Sequence, residues 1–334
     1  MKSYIALLLA ALLLFCAACT GGPSQPVEAE PIRIGVLTDG DAIDRGANQQ
    51  IWNALDSLVE EGLPLQRFYR APGADGNYSD CIAALAAEGC GLILCANGGM
   101  DDVIQKAASA YPQIQFVVVE GENAPTENVS TMTFATAQAA YLAGVAAGKT
   151  SESGRIACVH GRLTPETDQV VAAFMAGVRA ADDEAILLRE NIVGEYDGGY
   201  RAAEMLVTKG VDVIFHADRV DTSQVIAACA ANGIWAIGAW KDRSGEAPER
   251  VLTSVIHRVD VAVQDVVRAY GADTLTVGVH HYDLNRQGVD LVLPGSLTEK
   301  TQTSVNSAKT KLTAGETTLP ANLEALWERY PDLN

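Results

Sequence analysis

Short apolar runs alternate with longer amphipathic segments along most of the chain. The largely apolar run Ile32–Leu37 ends at Thr38-Asp39-Gly40, where polar residues begin. The segment Asn48–Glu61 then has apolar residues at helical spacing, so that one face carries Ile51, Trp52, Leu55, Leu58 and Val59. The first pattern predicts a buried β-strand and the second an amphipathic α-helix.

The same alternation continues over the next 180 residues or so. It predicts strands over 65–69, 91–95, 114–120, 154–159, 185–193, 211–215 and 235–238. It predicts helices over 78–88, 101–110, 136–149, 165–181, 200–209 and 223–232. Strands that alternate with helices of this length form parallel, doubly wound sheets. Two such series in succession predict an α/β protein with two Rossmann-like lobes.

Polar residues follow the ends of several predicted strands. In doubly wound sheets, the loops after the carboxyl ends of the strands line the ligand crevice. The residues in such positions are Asp39, Asn97, Glu120, His216, Asp218, Trp240 and Lys241. If the two lobes face each other, we expect these side chains to line one cleft.

The first nineteen residues have the pattern of an export signal. Lys2 supplies a positive charge, Tyr4–Ala18 carries none, and the apolar stretch is short for a membrane span. Cys19 follows two alanines and resembles the lipidated cysteine of bacterial lipoproteins, although Cys16 replaces the usual leucine of that motif. We expect residues 1–19 to be a lipoprotein signal peptide with Cys19 lipidated. An ordinary signal peptide with an incidental cysteine is the alternative.

The segment after Cys19 has the composition of a tether. Thr20–Glu30 contains two glycines, two prolines and two glutamates and little apolar bulk, so it cannot bury a core. A flexible chain of this length reaches about 18 Å. We therefore expect residues 20–30 to hold a globular body near a membrane surface.

The net charge of the chain argues against two classes of binding partner. The 334 residues carry a formal net charge of −18, which argues against binding to nucleic acid or to anionic lipid by charge. Apolar residues make up 48% of the chain and charged residues 20%, as in soluble globular proteins. The length beyond the leader suits two domains.

The five cysteines beyond the leader predict no chemistry. Cys95, Cys158 and Cys229 lie in apolar or small-residue surroundings typical of a core. Cys81 and Cys90 bracket a predicted helix, and a disulfide between them stays open.

No motif of catalysis or metal binding occurs. The chain contains no phosphate-binding loop, dinucleotide fingerprint, serine-hydrolase elbow or zinc-protease motif, and no cysteine or histidine spacing fits zinc. The pair His280-His281 is more typical of packing and surface than of a metal site. We predict no enzyme, metal or cofactor, and an exported hydrolase is the alternative that this lack of nucleophile and base disfavours.

Five segments together resemble the basic membrane lipoprotein family, solute-binding lipoproteins that include bacterial purine nucleoside receptors. They occur in the family's order and spacing and cover essentially the whole mature chain. The segments are Ile34–Asp39 with Asn48-Gln49, Tyr111–Glu120, Phe134–Gly148, Gly210–Ala217 and Val251–Asp260.

The resemblance implies a type I periplasmic binding protein, with two lobes that close over a ligand about a hinge. We expect three hinge crossings, near Ser130–Phe134, Leu252–Ile256 and Gly278–Tyr282. Lobe 1 would then comprise residues 31–131 and 253–278, and lobe 2 residues 132–252 and 279–334.

The resemblance also implies a set of ligand contacts. Asp39 and Asn48 match the family's polar anchors, and Glu120 replaces its usual aspartate. Ala47 stands where an aromatic residue usually stacks on the base, and Trp240 stands where an aspartate usually bonds ribose.

His257 occupies the position of a ligand-binding lysine. We therefore expect the ligand-binding residues to include Asp39, Asn48, Asn97, Glu120, His216, Asp218, Trp240 and His257.

The implied function is ligand capture for an ABC importer. We expect a monomeric, lipid-anchored receptor on the extracytoplasmic face of the cell membrane, which binds a purine nucleoside or purine base and docks on an ABC permease. Three alternatives stay open: a sensory lipoprotein on the same fold, a non-purine planar ligand such as a flavin, and a cleft that has lost binding.

Overall fold

Twelve strands form two sheets in the computed structural model, which describes residues 30–40, 46–73, 76–192, 198–217, 222–293, 295 and 297–333. In chain order the strands are β1 (Ile32–Leu37), β2 (Leu65–Arg70), β3 (Leu92–Cys95), β4 (Gln115–Val119), β5 (Val129–Phe134), β6 (Arg155–His160), β7 (Ile186–Asn191), β8 (Val213–His216), β9 (Trp235–Gly238), β10 (Val251–His257), β11 (Val279–Tyr282) and β12 (Val289–Val292).

Ten α-helices connect or cover these strands in the described part of the chain. They are α1 (Ala47–Glu60), α2 (Tyr78–Ala87), α3 (Asp101–Ala108), α4 (Thr136–Thr150), α5 (Pro165–Ala181), α6 (Gly198–Thr208), α7 (Thr222–Ala231), α8 (Val259–Gly271), α9 (Glu299–Thr313) and α10 (Leu323–Arg329). No helix among the described residues is both long enough and apolar enough to cross a bilayer.

Each sheet has six strands. The first has the order β11-β5-β4-β3-β1-β2 and is parallel throughout. The second has the order β12-β10-β9-β8-β6-β7 and is parallel except for β12, which runs antiparallel to β10. Fully buried strands such as β3 and β8 are typical of parallel sheets with helices on both faces. The predicted α/β class with two doubly wound sheets is confirmed.

The chain passes between the two sheets three times. It does so after β5, after β10 and after β11, which end at Phe134, His257 and Tyr282. The segments in which we expected the crossings are therefore the strands that lead into them. Because β5 and β11 are hydrogen-bonded within the first sheet and β10 within the second, each change of sheet comes a few residues after the expected lobe boundary.

We call the first sheet with α1, α2, α3 and α8 lobe 1, and the second sheet with the other helices lobe 2. In lobe 2, α4 packs closely on α5 because two glycines face each other. A Cβ on Gly144 would overlap the carbonyl oxygen of Phe174, and one on Gly177 would overlap that of Tyr141. The absence of side chains at both positions therefore sets the distance between the helices.

All five cysteines in the described part of the chain are buried, and Cys81 and Cys90 do not form a disulfide with each other in this structure. Burial raises the pKa of the Cys90 thiol to about 11 and that of Cys229 to about 12. Protonated, buried thiols are unreactive, and these residues serve packing.

Candidate functional site

A cleft of about 810 Å³ opens between the two lobes. Most of its described lining comes from loops that follow strands of the first sheet, and the rest from the ends of β5, β10 and β11 and the first turn of α5. The lining residues are Asp39, Asn97, Gly98, Gly99, Glu120, Gly121, Glu122, Thr133, Phe134, Glu166, His257 and His281. The cleft thus lies where doubly wound sheets bind their ligands.

The structure brings four of the predicted site residues together around this cleft: Asp39, Asn97, Glu120 and His257. Asp39 and Asn97 follow neighbouring strands, β1 and β3, and the Asn97 amide donates a hydrogen bond of 2.7 Å to the Asp39 carboxylate. The Asn97 side-chain oxygen accepts from the backbone N–H of Gly99 at 2.9 Å, which fixes the amide's orientation.

Three of the other predicted residues stand outside the described lining. Asn48 is buried in the first turn of α1, and His216 is buried at the end of β8 with Nδ1 3.0 Å from the Thr222 hydroxyl. Trp240 is partly buried behind His257, and its ring meets the imidazole edge-on at 6.0 Å between centroids. Asp218 lies outside the described residues, as does Cys19.

His257 bridges the two lobes. Its Nδ1 is hydrogen-bonded to the carboxylate of Glu120, directly after β4 in the first sheet. Its Nε2 lies 2.9 Å from the hydroxyl of Thr136, in the first turn of α4 in lobe 2. The imidazole is 3% exposed and the Glu120 side chain 14%. The contact with Thr136 fixes the imidazole ring, and the contact with Glu120 then fixes the carboxylate at the wall of the cleft.

Three rings stack where the chain crosses between lobes. Phe134 lies parallel to His257, with centroids 4.7 Å apart and an interplanar angle of 10°. Tyr282 packs on Phe134 at 5.9 Å. Burial raises the pKa of Tyr282 to about 12, so its phenol stays protonated and donates to the Ala262 carbonyl at 3.2 Å. We call Phe134, His257 and Tyr282 the hinge aromatic cluster, because each ends one crossing strand.

The loop that carries Glu120 is shaped by close backbone packing. Glu120 has a φ of +56°, a conformation that non-glycine residues rarely adopt. A Cβ on Gly98 would overlap the Glu120 carbonyl oxygen. The buried Asp101 carboxylate accepts backbone hydrogen bonds from Glu122 at 2.5 Å and Asn123 at 3.1 Å. These contacts hold Glu120 at the cleft wall.

Eight of the described lining residues escaped prediction from the sequence, and four of these have acidic or aromatic side chains: Glu122, Phe134, Glu166 and His281. Glu166 lies in the first turn of α5, which begins at Pro165 after Thr164 caps the helix. The capping residue Thr164 and the proline after it predict where α5 begins. That Glu166 faces the cleft depends on how the two lobes pack, which the local sequence does not indicate. Phe134 is the last residue of β5, and His281 lies within β11. The Nδ1 atom of His281 lies 3.0 Å from the Thr133 hydroxyl.

Comparison with known proteins gives a consistent picture. The family described as ABC transporter substrate-binding protein PnrA-like matches residues 32–323. The CD4+ T-cell-stimulating antigen of Listeria monocytogenes is 26% identical over 313 residues, which cover 86% of this chain and 87% of the relative. The ABC transporter nucleoside-binding protein BmpA of Lactococcus lactis is 26% identical over 347 residues, with coverage of 96% and 97%.

A solved structure shares the fold. The solute-binding protein of an ABC transporter system from Conexibacter woesei superposes with a TM-score of 0.72 at 21% identity, covering 87% of this chain and 99% of that one. This likeness confirms the predicted periplasmic binding protein fold of two lobes.

Proposed function

Because the chain belongs to the PnrA-like family of ABC transporter substrate-binding proteins, as the five sequence segments predicted, we propose that it captures a purine nucleoside or purine base. It is a solute-binding protein and not an enzyme. In this proposal, closure of the two lobes traps the ligand in the cleft, and the closed form delivers it to an ABC permease.

The observation that carries the proposal is the polar wall of lobe 1. Asp39, Asn97 and Glu120 meet at one side of a cleft large enough for a small molecule. Carboxylates accept hydrogen bonds from ring N–H and amino groups, and the Asn97 amide adds a fixed neutral group beside them. A relative from Lactococcus lactis is itself named a nucleoside-binding protein.

The second lobe favours the base over the nucleoside. Trp240 stands where the family usually has a ribose-binding aspartate. Each hydrogen bond to a charged group contributes about 1.5–3 kcal/mol, so loss of that carboxylate removes most of the gain from ribose. We propose that a free base binds at least as tightly as its nucleoside.

Calorimetry on the purified protein tests this proposal with adenine, guanine, hypoxanthine and their nucleosides. We expect binding of at least one base with an affinity equal to or above that of its nucleoside. A clear preference for nucleosides would contradict the proposed loss of ribose contacts, and no binding to any of the six would place the ligand outside the purines.

Trp240 is the proposed stacking surface for the planar ring in the closed state. Trp240→Ala should weaken purine binding by about 1–3 kcal/mol, the range for stacking of a base on an aromatic side chain. Trp235→Ala is the matched control, because Trp235 begins the same strand that Trp240 follows and packs under Arg250. Equal affinities of the two variants would remove Trp240 from the site.

The anchor at Cys19 is a separate part of the proposal. A diacylated cysteine at the mature N-terminus would hold the receptor at the membrane, since acyl chains supply about 0.8 kcal/mol per buried methylene. Cys19→Ala should move the protein from the membrane fraction to the soluble fraction of cells that express it. Membrane association that survives the substitution would contradict lipidation at Cys19.

A further inference from the structure

Acidic side chains outnumber lysine and arginine in the described lining of the cleft. Four of the twelve described lining residues are acidic: Asp39, Glu120, Glu122 and Glu166. The same lining contains two histidines, His257 and His281, and no lysine or arginine. The described lining therefore presents acidic groups from both lobes, because Glu166 belongs to lobe 2 and the other three to lobe 1.

Three of the four acidic side chains have no lysine or arginine partner among the described residues. Asp39 receives a hydrogen bond from the neutral amide of Asn97, and Glu166 lies 3.4 Å from the hydroxyl of Thr136. Within the part of the chain that the structure describes, Asp39, Glu122 and Glu166 form no ion pair with lysine or arginine. Glu120 has an ionisable partner, His257.

Two basic side chains line a neighbouring cavity. Lys241 and Arg258 line a smaller cavity of about 300 Å³ beside α1, which meets the cleft at His257. The Arg258 guanidinium is already bidentate with the Asp260 carboxylate, at 2.9 and 2.8 Å. The Arg258 guanidinium is therefore paired with Asp260 and is not an ion-pair partner of the cleft carboxylates.

We propose that the cleft selects a ligand that carries a positive charge, namely a planar heteroaromatic cation. This inference rests on the proposed function only in that the cleft is the ligand site. Closure of the lobes removes water from the carboxylates, and charges held in a low-dielectric site interact strongly. Glu122 and Glu166 are exposed in this structure. In the proposed closed form both would be buried, and a cation bound between them would offset that cost, whereas a neutral ring would not.

Two pairs of probes separate charge from shape. 1-Methyladenosine and N6-methyladenosine are isomers, and at neutral pH only the first carries a positive charge on its ring. 1-Methylnicotinamide and nicotinamide form a second pair of cation and neutral ring without a purine. We expect calorimetry on the full protein to show at least tenfold tighter binding of the cation within a pair, equivalent to about 1.4 kcal/mol. Added salt should reduce that ratio.

Charge-removing variants assign the preference to the cleft. Glu122→Gln and Glu166→Gln keep the size of each side chain and should each lower the cation-to-neutral ratio several-fold. Glu204→Gln is the matched control, because Glu204 is an exposed residue of α6 that does not line the cleft. A cation preference that survives both cleft substitutions would overturn the assignment to these carboxylates.

The outcomes distinguish this inference from purine capture. Neutral isomers that bind as tightly as the cations overturn the inference and leave purine capture standing. Binding of 1-methylnicotinamide alone supports the inference, and calorimetry with the three purine bases and their nucleosides then decides purine capture. Absence of binding by all four probes overturns the inference and leaves purine capture to that same calorimetry.

Discussion

His257 shows how one substitution changes the role of a position. The family resemblance gives this position to a lysine that contacts ligand, and a flexible ammonium there could follow a ligand into the cleft. The imidazole is instead 3% exposed, with Glu120 on one nitrogen and Thr136 on the other. A buried group with both polar atoms bonded stiffens its surroundings, so His257 fixes the charge of Glu120 in place.

A double-mutant cycle measures the contact between Glu120 and His257. Urea unfolding of the wild type, Glu120→Ala, His257→Ala and the double variant should give a coupling energy of about 0.5–3 kcal/mol, as expected for directly bonded groups. The matched pair is Asp265 and Arg286, whose side chains are 53% and 44% exposed. That exposed pair should couple by about 0.2–1 kcal/mol. A value near zero for Glu120 and His257 would show that their bond adds nothing to the folded state.

The sequence predicts a site residue when its position relative to a strand already fixes where it lies in the fold. Asp39, Asn97 and Glu120 each come within two residues of the end of a largely buried strand, and parallel strands bring such residues to one edge. Glu122 and Glu166 depend on a loop held by Asp101 and on how α5 faces lobe 1. Neither feature has a local sequence pattern, so both residues became visible only in the folded chain.

At the scale of elements, agreement follows the strength of the local signals. The predicted bounds of α5 and β9 match the structure, because Thr164 and Pro165 mark the start of α5 and β9 is a short apolar run before Trp240. The elements after Tyr282 had no predicted bounds. The helix α9 is polar around most of its circumference, with only Thr301, Val305 and Leu312 buried, so it lacks a helical apolar period.

The contact between α4 and α5 is sensitive to a single methyl group. Gly177→Ala should lower the free energy of unfolding by about 1–3 kcal/mol or more, because the new Cβ overlaps the Tyr141 carbonyl and forces the helices apart. Gly245→Ala is the control, since a Cβ there meets nothing within 4 Å. Urea denaturation of the two variants provides the comparison, and equal midpoints would show that the helices separate at little cost.

At the scale of the whole molecule, the hinge aromatic cluster joins the crossings to the site. Phe134 and His257 line the cleft and also end two crossing strands, while Tyr282 ends the third. A ligand that contacts Phe134 or His257 therefore touches the segments about which the lobes would rotate. The family resemblance implied three crossings. No local sequence pattern indicated that the three strands leading into them would end in rings that pack together.

Lobe closure should be visible in solution. With a ligand that binds by calorimetry, small-angle X-ray scattering should give a smaller radius of gyration than without it, because hinge closure brings the lobes together. A compound from the same panel that does not bind serves as the control. Identical scattering curves with and without a bound ligand would contradict hinge closure.

The order of elements along the chain also affects when the protein can fold. The first sheet begins with β1, yet its outer strand β11 and the helix α8, which packs on α1, come only after all of β6 to β10. Val259 at the start of α8 donates to Gln50 of α1 at 3.1 Å, a contact that spans more than half of the chain. A ribosome would therefore synthesise nearly the entire polypeptide before either lobe had all of its parts. Such contacts between distant segments slow folding. The unfinished chain therefore stays unfolded for longer, and an unfolded chain is what the proposed export of this protein would require.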